Sequence, residues 1–173
     1  MTHILIYGMN YAPEFAGVGR YTGDISEYLV EYGHTVTVIT TPPHYPGWKL
    51  FPLYSQHGYK AELRRLLKII RCPLILRERM GGVWRLIAPL TFAASSAPVA
   101  LWQILWRRPN TVLCIEPTLL VAPVAILAAR IVGAMTVLHV QDLEVDAAFA
   151  VGHLGGKPWF RRAALLFERA MLR

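Results

Sequence analysis

The chain opens on a short apolar run, His3–Tyr7 (HILIY), closed by Gly8. Such a run without polar alternation predicts a strand buried on both faces, as in parallel sheets. A turn-rich segment follows, MNYAPEFAGVG, in which Pro13 and small residues disfavour regular structure. From about Val18 to Glu31, Tyr21, Ile25, Tyr28 and Leu29 recur at helical spacing, and Gly33 supplies a stop. Thr35–Thr40 (TVTVIT) is then an alternating β-branched strand. Strand, glycine-bearing loop, helix and strand in this order predict a βαβ unit and a parallel sheet.

Beyond Thr41 the pattern weakens. Pro42, Pro43, Pro46 and Pro52 alternate with Tyr45, Trp48, Phe51 and Tyr54, which reads as a long loop. Residues 59–76 admit two readings. A helix over Lys60–Arg71 would place Leu63, Leu66, Leu67 and Ile70 on one face, whereas a strand over Lys68–Cys72 would end at Pro73. The strand is favoured. Pro89–Trp106 is an uncharged run of 18 residues. Thr111–Ile115 and Met135–Val140 read as strands, and Leu119–Val132 as an apolar helix broken by Pro123 and ended by Gly133. Lys157–Leu172 reads as an amphipathic helix. Four to six strands alternating with three to four helices predict an α/β domain: an open, mostly parallel sheet with helices on both faces.

Composition narrows the class. Of 173 residues 54% are hydrophobic and 17% charged, too apolar for a disordered, highly charged tail and long enough for one domain. Two cysteines, Cys72 and Cys114, sit in apolar runs and read as buried thiols in a reducing compartment. No basic region and small-residue cleavage site follow Met1, so the chain is expected in the cytoplasm.

The net charge of +7 is uneven. Between Lys60 and Arg85 stand eight basic residues and two acids. Such a patch attracts anionic lipid headgroups or diphosphates, or is a solvated face. Nucleic acid is the least favoured partner, because no recognised nucleic-acid-binding pattern accompanies the charge. The uncharged run 89–106 is a marginal membrane span by length. Ser95, Ser96, Pro98 and Gln103 argue instead for a helix packed on the sheet or resting on a membrane surface. Trp84, Trp102 and Trp106 suit the headgroup level.

In open parallel sheets, ligands bind at the carboxyl ends of strands. Three such ends carry candidate chemistry. After the first strand, Gly17, Val18 and Gly19 would let main chain approach a phosphate at a helix N-terminus, although a mere tight turn has the same look. The spacing of Gly17, Gly19 and Gly23 misses the dinucleotide fingerprint, and no acid follows the second strand, so NAD is not expected. At Glu116 a carboxylate ends a buried strand, where it could accept a sugar hydroxyl or charge a helix N-terminus. At His139 an imidazole precedes Asp142, Glu144 and Asp146, a cradle for a polyol or a structural histidine. One histidine with loose acids is a poor metal set, and no metal is expected.

The segments ILIYGMNYAPEFAGVGRYTGDISEYL, VITTPPHYPGW, IIRCPLIL, IEPTLL and LHVQDLEVDAAF together resemble the N-terminal half of bacterial family 4 glycosyltransferases of the GT-B fold. The resemblance runs over nearly the whole chain. It implies a Rossmann-like domain, acting with a second one, that moves a sugar from a nucleotide-sugar donor to an acceptor in exopolysaccharide or cell-surface glycan synthesis. Retention and no metal cofactor are implied as well. A GDP-sugar, such as GDP-fucose, is the donor suggested by analogy. The acceptor is expected to be a saccharide, often linked to lipid through a diphosphate, at the inner face of the cell membrane. Such a domain would be a peripheral protein on an anionic membrane surface.

The resemblance puts Gly17, Val18 and Gly19 at the donor diphosphate, and His139 and, by position, Asp142 at the transferring sugar. Glu116, Tyr45 and Trp48 become candidates for the acceptor or sugar. Residues 1–173 would form the acceptor-side domain. The C-terminal domain, with most of the donor site and its E-x7-E element, lies outside these residues, and the fragment alone is expected to be inactive. Two alternatives stand beside this reading: a non-catalytic, membrane-associated binding or scaffold module, and an integral membrane protein spanning with 89–106 and 112–129.

Overall fold

The computed structural model describes residues 1–77, 84–116, 119–141 and 166. Six strands, β1 (His3–Tyr7), β2 (Thr35–Thr40), β3 (Lys60–Arg64), β4 (Leu67–Arg71), β5 (Thr111–Ile115) and β6 (Met135–His139), form one sheet. Their order is β3-β4-β2-β1-β5-β6, and every pairing is parallel except β3 with β4. Three helices connect them: α1 (Gly17–Glu31), α2 (Trp84–Arg107) and α3 (Ala122–Val132).

The period of two along each strand sorts side chains onto two cores. Ile6, Val36, Val38, Ile69 and Ile115 face α1 through Val18, Ile25 and Leu29. Leu5, Tyr7, Ile39, Ile70, Val112 and Cys114 face α2 and α3 through Phe92, Ala100, Ile104 and Ala125. Helices therefore cover both faces, and the α/β architecture read from the pattern is the one adopted. Both thiols are buried, and desolvation pushes each up to about 12.

Several readings change. The helical alternative for Lys60–Arg71 gives way to the antiparallel pair β3–β4, with Arg65 at positive φ in the turn between them. Edge strand β3 is exposed at every position but Glu62, so it has no inward apolar series to display. Pro123 does not break a helix. It stands in the first turn of α3, where a missing N–H costs nothing, after a 3-10 turn at Leu119–Val121. A membrane span over 112–129 is excluded, because 112–115 is part of β5, paired on both sides. Helix α2 contains a stretch, Ile87–Arg107, long and apolar enough to cross a membrane. Its inner face instead packs on the sheet: Phe92 meets the Tyr7 ring edge-on at 6.0 Å, and Ser96 Oγ and Tyr7 Oη share a buried hydrogen bond of 2.6 Å. Of the expected helix over 157–172, Leu166 is described and is helical; the other residues lie outside the described ones.

Candidate functional site

Strand β1 is paired by β2 on one side and β5 on the other, so the connections leave it in opposite directions. The carboxyl ends of β1 and β5 thus flank a topological switch point, the usual place for a ligand crevice. All three candidate strand ends open on this edge: the loop after β1, Glu116 after β5, and His139 at the end of β6.

The loop after β1 is organised by Glu14, which is buried with 2% of its surface exposed. Its Oε1 accepts the main-chain N–H of His44 at 2.9 Å and of Tyr45 at 3.0 Å, and its Oε2 accepts Asn10 Nδ2 at 3.0 Å. One carboxylate thereby fastens the β1 loop to the β2 loop through charge-assisted bonds. Two glycines follow from this packing. A Cβ at Gly19 would overlap the Glu14 carboxylate and stand 2.7 Å from its Cβ. Gly17 has φ +60°, and a Cβ there would stand 3.0 Å from the Tyr45 ring. Tyr45 is thus brought onto Gly17, while Trp48 packs on the His44 ring at 5.5 Å and against the core under α2.

Ala16, extended at φ −138°, precedes α1 and has no side chain to cap it. The first-turn N–H groups at Gly17, Val18 and Gly19 consequently lack a side-chain cap. Uncapped N–H groups and the positive end of a helix dipole are the features that favour an anion.

A second fastening lies on the α1 side of the same edge. Arg71, 2% exposed, donates Nε to Glu62 Oε1 at 2.9 Å, Nη1 to the Thr41 carbonyl at 3.0 Å and Nη2 to the Ala12 carbonyl at 2.8 Å. Its guanidinium also lies over the Tyr54 ring, 4.9 Å from the centroid. Arg71 therefore does not belong to the exposed basic patch expected between Lys60 and Arg85. It ties the ends of β1, β2 and β4 together. A pocket of ≈ 90 Å³ opens beside it, lined by Tyr11, Pro13, Glu27, Tyr54 and Arg64 among others. That volume is far below the ~300 Å³ and upwards of a typical ligand site, so a nucleotide sugar does not fit there.

Glu116 is buried at the mouth of β5, and its N–H bonds the His139 carbonyl at 3.0 Å. Neighbouring strands thus bring Glu116 and the half-buried His139 together. Asp142 lies outside the described residues, as do Glu144 and Asp146. Among the described residues no three His, Cys, Asp or Glu side chains converge as a metal-ligand set.

Sequence reasoning passed over Glu14, His44 and Arg71. His44 is 1% exposed, and its Nδ1 lies 3.0 Å from the Pro42 carbonyl and 3.7 Å from Glu14 Oε1. Burial, the larger influence, holds its imidazole below the usual range, while Glu14 pulls the other way. Burial lowers His3 too. The unfolded chain therefore protonates first as the pH falls below the ordinary imidazole value of about 6.5. Stability is complete above that value and drains as the pH drops toward the lowered native pKa. Melting temperature is expected to fall between about pH 7.5 and about pH 5.5, with part of the slope removed in His44→Asn. An unchanged slope in the variant would assign the effect to other groups.

Comparison with known proteins comes on top of this geometry. The model of the glycosyl transferase 4-like domain matches residues 16–173. A colanic acid biosynthesis glycosyl transferase of Escherichia coli (strain K12), WcaI, is 42% identical over 172 residues, covering 98% of this chain. The chain spans 42% of that relative's length. A UGT transferase from Siraitia grosvenorii, solved in complex with UDP, overlays with a TM-score of 0.43 at 14% identity, over 79% of this chain and 27% of that one. With its family pattern matched over most of its length, the chain belongs to the glycosyl transferase 4-like domain family.

Proposed function

We propose that this chain is the acceptor-side domain of a glycosyltransferase that moves a sugar, with retention, from a nucleotide-sugar donor to a lipid-linked saccharide acceptor. A second domain would complete the donor site. The work would serve surface glycan or exopolysaccharide synthesis at the inner face of the cell membrane, and the isolated chain would turn over negligibly. The observation that carries this reading is the uncapped start of α1, set beside the β1–β5 switch point.

Breaking a glycosidic bond to a nucleoside diphosphate places negative charge on the departing diphosphate. N–H groups already aimed at that place stabilise the charge without reorganising. Val18 and Gly19 supply such groups, and Gly17 keeps the approach free of a side chain on its own main chain. The arrangement requires no metal to meet the diphosphate. His139 and Glu116, on adjacent strand ends, line the route to the sugar. The imidazole can donate to a ring hydroxyl or to the developing charge, and the carboxylate can accept an acceptor hydroxyl. Tyr45 and Trp48 add aromatic surface for a sugar ring.

The test uses the enzyme that joins this domain to its second half. Donors are screened with GDP-sugars first, in the presence of lipid-diphosphate saccharides. His139→Ala is expected to cut kcat by about 100-fold or more, the scale for losing one preorganised donor, with melting unchanged. Full turnover in that variant, at equal melting temperature, rejects the role of His139. Failure of every nucleotide sugar to react rejects the whole reading.

A further inference from the structure

The two faces of the sheet differ in charge and polarity. Helix α1, the helix on its face among the described residues, carries Asp24, Glu27 and Glu31 with Arg20. Helices α2 and α3, packed side by side on the other face, contain no acidic residue at all; their charges are Arg85, Arg107 and Arg130. The exposed surface of this second layer is apolar. It shows Leu101, Trp102, Leu105 and Trp106 on α2, and Leu127 and Ile131 on α3. Trp106 is 71% exposed and Ile131 66%, values far outside a packed core. Trp102 and Trp106 stack at 4.7 Å with planes 10° apart, one turn from each other, and Arg107 and Arg108 follow directly.

A helix apolar around its circumference needs cover on both sides. The sheet covers one side of α2 through Ala88, Phe92, Ser96, Ala100 and Ile104. We propose that an anionic lipid surface covers the other, so that the α2–α3 layer lies flat on the membrane with α1 turned away. This rests on the membrane-bound acceptor of the proposed function and names the surface that reaches it. Charge selects the occupant. An apolar face bearing arginines and no acids matches anionic headgroups. Against a second copy of itself, the same face would set arginines against arginines. Indole rings beside arginines suit the headgroup level.

Orientation follows from the topology. Helix α2 reaches the carboxyl edge at its middle, where Ser95 Oγ donates to the Pro73 carbonyl and Ser96 meets Tyr7 at the end of β1. It ends at the amino edge, where Asn110 Oδ1 accepts the His3 N–H. Only its second half, from Ser95 to Arg107, crosses the sheet; the first half continues past the carboxyl edge, where Thr91 Oγ1 accepts the Ile75 N–H. A membrane along α2 therefore runs from the amino edge, where Trp102 and Trp106 lie, to beyond the carboxyl edge on which the candidate site opens.

The 173-residue chain is sedimented with phosphatidylcholine vesicles, with and without phosphatidylglycerol, at low and high salt. Binding is expected to the anionic vesicles and to weaken with salt. Trp102→Gln with Trp106→Gln should lower the partition coefficient about tenfold or more. Tyr28→Gln with Tyr32→Gln, on the exposed face of α1, should leave it unchanged. Circular dichroism and melting temperature verify that each variant keeps its fold. If the wild-type chain binds no vesicle, both this docking face and the membrane reading fall. If it binds and the tryptophan pair is silent, the docking face falls alone. Concentration-dependent dimerisation lost in the tryptophan variant would make a second copy the occupant and overturn the proposal.

Discussion

Arg71→Met should lower the unfolding free energy of the chain by about 3–5 kcal/mol, the usual cost of removing one partner of a buried ion pair. The loss comes less from the guanidinium than from what it leaves behind. Glu62, with 19% of its side chain exposed, keeps a carboxylate whose partner has gone. The Thr41 and Ala12 carbonyls lose the donors that bond them at 3.0 and 2.8 Å. Some water can reach Glu62, which places the expectation toward the lower end of that range. Arg71→Lys should recover only part, because an ammonium cannot serve three acceptors lying in three directions. Replacing both, Arg71→Met with Glu62→Met, should cost less than Arg71→Met alone, since the stranded charge is then absent. Urea unfolding of these proteins, with Glu62→Met alone to close the double-mutant cycle, measures the coupling. A change within about 0.5 kcal/mol for Arg71→Met would mean that the three contacts do not hold the edge together.

The result bears on the site as well as on stability. Arg71 touches the loop after β1, the loop after β2 and the outer strand pair at once. Glu14 joins the first two of these loops from the other side. A loosened edge would let Tyr45 drift from Gly17. The helix terminus proposed to meet the diphosphate would then lose its frame before any residue in direct reach of the ligand had changed.

Much of this architecture could be read in the chain because burial leaves a simple signature. Strands β1, β2 and β5 are covered on both faces, so their sequences are continuous apolar or β-branched runs with sharp ends, and their limits matched to the residue. Strand β3 was obscured for the opposite reason. Solvated at the edge, it carries Lys60 and Arg64 outward, and its Leu63 joins Leu66, Leu67 and Ile70 in a chance helical spacing.

The buried charges were hidden by their surroundings. Glu14 lies in a loop whose course no periodicity fixes. Its carboxylate owes its role to amides 30 and 31 residues away in sequence. Arg71 did leave a mark. A cation between Ile70 and Cys72, inside a strand otherwise buried, has to be paired to stay there. Counting it with the neighbouring surface arginines concealed that. The glycines were legible as special, but their packing partners were not. Distance in sequence separates Gly17 from Tyr45.

Gly17→Val should abolish sugar transfer in the two-domain enzyme, and the structure shows how the cause can be isolated. A side chain at position 17 meets two obstacles that involve no ligand. The residue sits at φ +60°, where an L side chain costs about 1–2 kcal/mol, and its Cβ would press the Tyr45 ring at 3.0 Å. Loss of activity in the valine variant alone therefore does not prove a phosphate contact. Gly17→Ala is the milder probe, and Tyr45→Ala removes the ring that opposes it. If the alanine methyl acts by pressing on the Tyr45 ring, the double variant should be as active as Tyr45→Ala alone. If it acts by keeping the diphosphate off the main chain, the double variant should remain about 100-fold or more below Tyr45→Ala, the scale for losing a preorganised donor. Its donor KM should rise with no matching change in acceptor KM. A double variant no slower than Tyr45→Ala would remove the bend after β1 from the donor site. Glu14 and Tyr45 would then be left as the explanation for glycine at both positions.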